Sequence, residues 1–220
     1  NIIKENLFID KIEIRTEKDE DVKPYIQSVD IIWIKIDLPE DFLEILNILE
    51  KKLKETYKFL KHQNLIESEV IRNVSRLKIL GLNKEIDLRI SQTTDDNEKF
   101  AMFNAKKMVA NALRLSHMIE LLETQGLKAL EQYFTKNEEN IQNNKSSKSL
   151  NELFQNRDFK KSINLTRKLI SEGIIHPKMK KLKELLSEQI SLNENSRILV
   201  FSQYRDSVNN IINYFSEDEV

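Results

Sequence analysis

Lys51, Lys54, Lys58 and Lys61 recur at intervals of three or four residues, so any helix that carries them places them on one flank. Cations in such a line can track a phosphate backbone, each contact releasing condensed counterions. A second basic run, Lys178, Lys180, Lys181 and Lys183, is denser in print. At about 100° per residue it fans around a helix and leaves only Lys180 and Lys181 well away from the apolar face. A third group, Ser202, Gln203 and Arg205, follows an apolar run where a helical pattern starts. Helix starts present free N–H groups and a positive dipole end, which suit a phosphate. Each group has a plainer reading beside the nucleic-acid one. The first flank can be a solvated face with a Glu50–Lys54 pair, the second a connecting helix kept soluble, the third a Ser202 cap with Arg205 in water. For both lysine groups the residue pattern by itself favours the plainer reading.

Other chemistries find less support. The chain has no cysteine, which excludes disulfides and thiolate metal sites, and His62, His117 and His176 lack ligand spacing, so no metal site is expected. Arg114 and His117 fall on an otherwise apolar helix, where a histidine is expected as a satisfied core residue. Trp33, inside an apolar run, is expected in the core rather than as a base-stacking platform. No GxxxxGK[ST] loop cradles a phosphate and no DEAH-type acidic box holds a metal. No catalytic residues are assigned, and the chain is expected to bind rather than turn over ATP by itself.

Those candidates need elements to position them. With 220 residues, 40% hydrophobic and 32% charged, the chain can bury a core and keep a solvated surface. Three glycines and three prolines are too few for a turn-rich β fold, so long helices are expected. The net charge of -1, from 35 basic and 36 acidic residues, means that any DNA contact must come from local stripes. No apolar run reaches the roughly 20 residues that span a bilayer, and no membrane partner is expected. The chain opens on Asn1 rather than Met and is expected to be a piece of something longer.

Alternation in Lys11-Ile12-Glu13-Ile14-Arg15, and the β-branched run Ile31-Ile32-Trp33-Ile34-Lys35-Ile36, predict two strands. From Pro39 the period becomes helical through Phe42, Leu46, Leu49, Leu53, Tyr57 and Leu60. A shorter helix is expected through Val70, Ile71, Val74 and Leu77, ending at Gly81. Asp95-Asp96-Asn97 offers caps for a long helix to about Glu123, apolar nearly all round and so central to a bundle. Thr124 is expected to cap the next helix, 127 to about 137. The polar stretch 140–149 reads as a mobile loop. A helix from about Leu150 to Glu172, stopped by Gly173, and another opened by His176-Pro177 follow. Arg197-Ile198-Leu199-Val200-Phe201 reads as a strand buried on both faces, with Ser202 capping a last helix.

Three segments carry a family resemblance, and they occur in the family's order. Asp21-Val22-Lys23-Pro24-Tyr25-Ile26 with Trp33-Ile34-Lys35-Ile36-Asp37-Leu38-Pro39 resembles the end of the first motor domain in the archaeal Hef and Fanconi anaemia M helicases. Ile119-Glu120-Leu121-Leu122-Glu123-Thr124-Gln125-Gly126-Leu127 is similar to their helical insert. His176-Pro177-Lys178-Met179-Lys180-Lys181-Leu182, then 197–206, resembles the entry into the second motor domain with its motif IV.

The resemblance implies a mainly α chain: a thumb-like helical-bundle insert flanked by short strands of two RecA-like α/β domains. On that layout residues 1–38 close the first RecA-like domain, 39–192 form the insert with its mobile loop 140–149, and 193–220 open the second. The family implies a superfamily 2 helicase or translocase for DNA repair, with ATP and Mg bound by the longer protein and none by this piece. It also implies forked or branched DNA as partner, the helicase core in cis, and work inside the cell: cytoplasmic in an archaeon, nuclear in a eukaryote. The other class left open is a structural or protein-interaction spacer between motor domains.

Overall fold

A computed structural model of the chain describes residues 6, 8–9, 11–26 and 29–216; parts of the expected end segments, including 1–5 and 217–220, lie outside the described residues. The chain divides into two compact units, Asn1–Lys35 and Ile36–Val220.

In the first unit the charged stretch after Arg15 turns, with Val22 donating to the Asp19 carbonyl at 3.0 Å, and Pro24 sits in a single 3-10 turn, Lys23–Tyr25. Arg15 bridges Glu13 at 2.6 Å and Asp21 at 3.1 Å. The expected strands at 11–15 and 31–36 are not formed, and Trp33 is 92% exposed rather than core. Alternation is present in the sequence, but a strand needs a neighbour to take its N–H and C=O groups. Among the described residues neither run forms such a ladder.

The second unit is helical. Helix α1, Glu40–His62, follows Pro39 in extended conformation, carries Glu40 and Asp41 in its first turn and Lys61 and His62 in its last, and so complements its dipole at both ends. Its stripe, Phe42, Ile45, Leu49, Leu53, Tyr57 and Leu60, is buried; each such side chain contributes roughly 1.5–3 kcal/mol. Asn64 at φ 55° ends it, with the Leu65 N–H returning to the Leu60 carbonyl at 3.0 Å.

Helix α2, Arg76–Gln92, is capped by Ser75 and runs straight through Gly81, which therefore does not end it. Ile79, Leu82 and Ile86 are buried around the glycine and hold the helix together across it. A Cβ at Gly81 would meet nothing within 4 Å. Gly81→Ala is accordingly expected to raise stability by about 0.5–1 kcal/mol, visible as a higher urea midpoint at constant slope.

Helix α3, Asp96–Thr124, is capped by Asp95 and occupies the middle of the bundle, packing on α1, α2 and the two helices that follow. Its N-terminal turns leave Phe100 and Phe103 exposed, so the all-round burial belongs to the later turns. Thr124 is the last residue of α3, its hydroxyl donating to the Glu120 carbonyl at 2.6 Å, and Gly126 rather than Thr124 precedes the next helix.

Helix α4, Leu127–Gln142, is followed by α5, Lys148–Gln155, and α6, Arg157–Ser171. The stretch 140–149 thus holds a five-residue turn, 143–147, between two helix ends, with Asn144 at φ 55° and Ser147 as the cap of α5. Residues 143–147 form the loop itself, largely exposed, and Ser149 is buried where the next helix begins. The single helix expected over 150–172 is two, broken where the Asn156 side chain accepts the Phe159 N–H at 3.2 Å. Phe134 meets Phe154 and Phe159 edge-on there, and those two rings lie tilted against each other, with centroids 5.1–6.3 Å apart. Gly173, at φ 72°, closes α6 as its position suggests.

Helix α7, Pro177–Leu192, buries no residue, and α8, Arg205–Ser216, starts three residues after Ser202, which does not cap it. The expected strand at 197–201 is not formed: Leu199 and Phe201 are 80% and 88% exposed. Among the described residues there is no β-strand at all, for the same want of a pairing partner.

Candidate nucleic-acid interface

The periodicity that buries the α1 stripe turns Lys51, Lys54, Lys58 and Lys61 to water, and all four are exposed. They span an arc of about 80° and roughly 15 Å of axis. Their surroundings are not uniform. Lys51 reaches Asp158 of α6 at 3.5 Å, and Lys54 lies 3.9 Å from Glu50. Lys58 and Lys61 make no ion pair among the described residues, which leaves the C-terminal half of the flank free for an anion.

On α7, Lys180 is exposed and makes no ion pair among the described residues, while Lys181 bridges Glu184 at 2.9 Å. Ser202, Gln203 and Arg205 are exposed at the turn into α8.

The start of α7 is fastened to the end of α3. The Lys178 ammonium donates to the Glu123 carbonyl at 3.0 Å. His176 is 8% exposed, accepts the Lys178 N–H on Nδ1 at 3.2 Å and meets the Phe42 ring edge-on at 5.6 Å. Burial, assisted by the Lys178 charge, lowers the His176 pKa to about 4. Its Nε2 faces the Leu122 and Glu123 carbonyls without meeting hydrogen-bond geometry. The Glu123 carboxyl is pushed up, first by burial and then by the Glu50 charge, with Lys178 opposing. Two adjacent carboxylates, Glu50 and Glu123, flanked by Lys54 and Lys178, therefore lead from the α1 flank to α7.

Two features escape a reading of spacing. Tyr204 donates to Glu120 at 2.6 Å, and the same carboxylate takes Arg76 at 3.2 Å, with His117 at 3.7 Å. The Tyr204 hydrogen bond is the main reason the Glu120 pKa is lowered. This ties the 202–205 turn to α3 and α2. The other is Arg114, which clamps Asn111, Ser147 and Ser149. The signal available for the first was only that Glu120 and Tyr204 lie in segments that resemble the same family. Among the described residues no group of three or more His, Asp or Glu side chains is placed to hold a metal, and no helix is long and apolar enough to cross a membrane.

The bundle just described coincides with a known family. Residues 41–173, from the first turn of α1 to the glycine that closes α6, match the family described as "Putative ATP-dependent RNA helicase, helical bundle". The chain belongs to this helicase helical-bundle family. Its relatives include the "Putative ATP-dependent RNA helicase MJ1505" of Methanocaldococcus jannaschii, 35% identical over 98% of this chain and 25% of that protein. The Fanconi anemia group M protein homolog of Mus musculus is 25% identical over 94% of the chain and 11% of its own length. The crystal structure of the Pyrococcus furiosus Hef helicase domain superposes with a TM-score of 0.78 at 34% identity, covering 99% of the chain and 44% of that domain. The chain thus spans about a quarter or less of those two curated relatives and under half of the Hef helicase domain. The resemblance to the Hef and Fanconi M group read from 119–127 and its flanking segments holds, and the mainly helical class holds with it.

Proposed function

We propose that this chain is the DNA-gripping bundle of an ATP-dependent helicase or translocase that acts on forked or branched DNA in repair. The observation that carries the reading is the superposition of nearly the whole chain on the Hef helicase domain, at 34% identity. Relatives named as DNA helicases, such as the Neurospora crassa mph1 protein at 29% identity, support DNA over RNA. In that role the runs at 11–15, 31–36 and 197–201 become strands when the sheets of two RecA-like domains pair with them, which would cover their exposed apolar side chains. ATP and Mg bind the motor domains of the longer protein, and the bundle contributes no group to hydrolysis. The setting is intracellular, cytoplasmic in an archaeon and nuclear in a eukaryote.

The α1 flank follows the phosphate backbone, with Lys58 and Lys61 as its main anchors because no carboxylate competes for them. Lys180, Lys181 and the Ser202–Gln203–Arg205 turn add further anchors where the chain leaves the bundle. The test is Lys51, Lys54, Lys58 and Lys61 each changed to Gln, singly and together, with forked and linear duplex titrated at several salt concentrations. Removing a lysine that truly touches a phosphate lowers the salt slope by about one unit. Lys58→Gln and Lys61→Gln should carry most of the loss. Merely solvated lysines leave affinity within about twofold, and an unchanged slope in the folded quadruple variant removes this flank from the interface. The rival, a spacer that only sets motor geometry, draws on the net charge of -1 and predicts no salt-dependent binding at all.

A further inference from the structure

Of the arginines in the bundle, Arg76 meets Glu120, Arg89 meets Glu85, and Arg167 meets both Glu131 and Glu138, while Arg72 and Arg157 are exposed to water. Arg114 has no such partner. It rises from the middle of α3, half-buried, and its guanidinium donates to the Asn111 side chain at 2.9 Å, Ser149 Oγ at 3.1 Å and Ser147 Oγ at 3.0 Å. All three acceptors are neutral, and no carboxylate lies within ion-pairing distance among the described residues. Burial pulls its pKa below the ordinary arginine value, but a guanidinium stays charged in proteins. A cation taken out of water with no anion beside it is expensive, so its neighbourhood favours any anion that can enter.

The turn that it fastens carries two lysines and no acidic residue between Asn143 and Leu150. Ser147 caps α5, whose first turn holds no acidic residue and opens on Lys148, against the usual preference for acids at a helix start. Lys145 and Lys148 flank the serines, are exposed, and make no ion pair among the described residues. Ser147 is itself exposed, so the fork of Arg114 is reachable from solvent through its hydroxyl.

We propose that Arg114, with the Ser147 cap and Lys145 and Lys148, is a phosphate site that seats one phosphodiester of the nucleic acid held by this bundle. The inference rests on the function proposed above and adds an anchor on α3 to the α1 flank. The phosphate oxygens take the hydroxyl of Ser147 and the guanidinium, and supply the counter-charge that the fold withholds. Arg114 also fastens the turn between α4 and α5, so Arg114→Gln by itself confuses binding with folding. Ser147→Asp separates them. Asp caps a helix as well as Ser does, and it hands Arg114 a carboxylate in place of the phosphate.

The experiment compares wild type, Ser147→Asp and Arg114→Gln in melting temperature and in binding to a short DNA duplex at several salt concentrations. Ser147→Asp should melt at or above the wild-type temperature. It should nevertheless bind duplex roughly tenfold more weakly, the worth of one charge-assisted hydrogen bond, with a salt slope lower by about one unit. Inorganic phosphate, exchanged for chloride at constant ionic strength, should raise the melting temperature of the wild type and not of Ser147→Asp. Wild-type duplex affinity and slope in a folded Ser147→Asp overturn this inference alone, as does an equal phosphate shift in the two chains. A wild-type chain that binds no duplex at low salt overturns the proposed function first, and the backbone assignment with it.

Discussion

Gly126→Ala should destabilise the bundle by about 2–6 kcal/mol, the largest effect expected of any single methyl group added to this chain. Gly126 sits at φ 89°, ψ -167°, a conformation open almost only to glycine. Forcing another residue into it costs roughly 1–3 kcal/mol. The added Cβ would also lie 3.1 Å from both Cβ and Cδ2 of His176, whose ring is held by Phe42 on one side and by its cap to Lys178 on the other. Overpacking of that kind adds roughly 1–3 kcal/mol. Urea denaturation followed by circular dichroism reads the sum, with Gly81→Ala as the contrasting glycine. A Gly126→Ala midpoint equal to wild type would mean that the His176 ring swings away freely and that the joint between α3 and α7 is loose.

The second large effect is a loss of stability in acid that belongs to His176. Its pKa is about 4 in the fold against an ordinary 6.5. As pH falls below 6.5 the unfolded chain takes up a proton that the folded chain refuses, so stability drops through that window and levels off below about 4. Linkage bounds the loss near 3 kcal/mol; allowing for the part of the ring that water still reaches, about 2–3 kcal/mol is expected. Glu123, raised by burial and by Glu50, acts in the opposite sense, gaining stability on protonation. The clean measurement is therefore a difference. Asn caps helices well, so His176→Asn keeps an acceptor for the Lys178 N–H and removes the titration. Unfolding free energies of the two chains, measured from pH 7 to pH 4, should diverge from each other by that amount. Parallel curves would place the proton elsewhere.

Where the sequence was legible, the information was local. The α1 stripe, the Asp95 cap, the His176-Pro177 start and the Gly173 stop each depend on residues within a turn of one another, and each is found. Misreadings came from residues whose fate is decided far along the chain. Gly81 has the character of a stop, yet Ile79, Leu82 and Ile86 are buried around it. Ser147 and Ser149 look unanchored until Arg114, 33 residues before Ser147, is seen to bind them. Alternation at 11–15 and β-branched content at 31–36 are local signals, but a ladder is a property of two segments, and none forms among the described residues. The candidate site divides in the same way. Spacing placed the lysines of α1 on one exposed flank, but could not show that Lys51 is engaged by Asp158, 107 residues later.

That separation has a meaning for biosynthesis. Helix α1 packs on α3, its neighbour once the intervening α2 has been made, and also on α6. At ribosomal rates of about 5–20 residues per second, the span between Lys51 and Asp158 takes roughly 5–20 s to emerge. During that interval α1, α2 and α3 can assemble as they appear, while the side of α1 that awaits α6 stays wet. Glu44–Lys161 and Lys51–Asp158, bridges of 2.6 and 3.5 Å, lie along the seam that closes last. That order predicts a stage in the synthesis of this chain with a three-helix core and an open apolar groove, readable as protease sensitivity of α1 in chains truncated before residue 157.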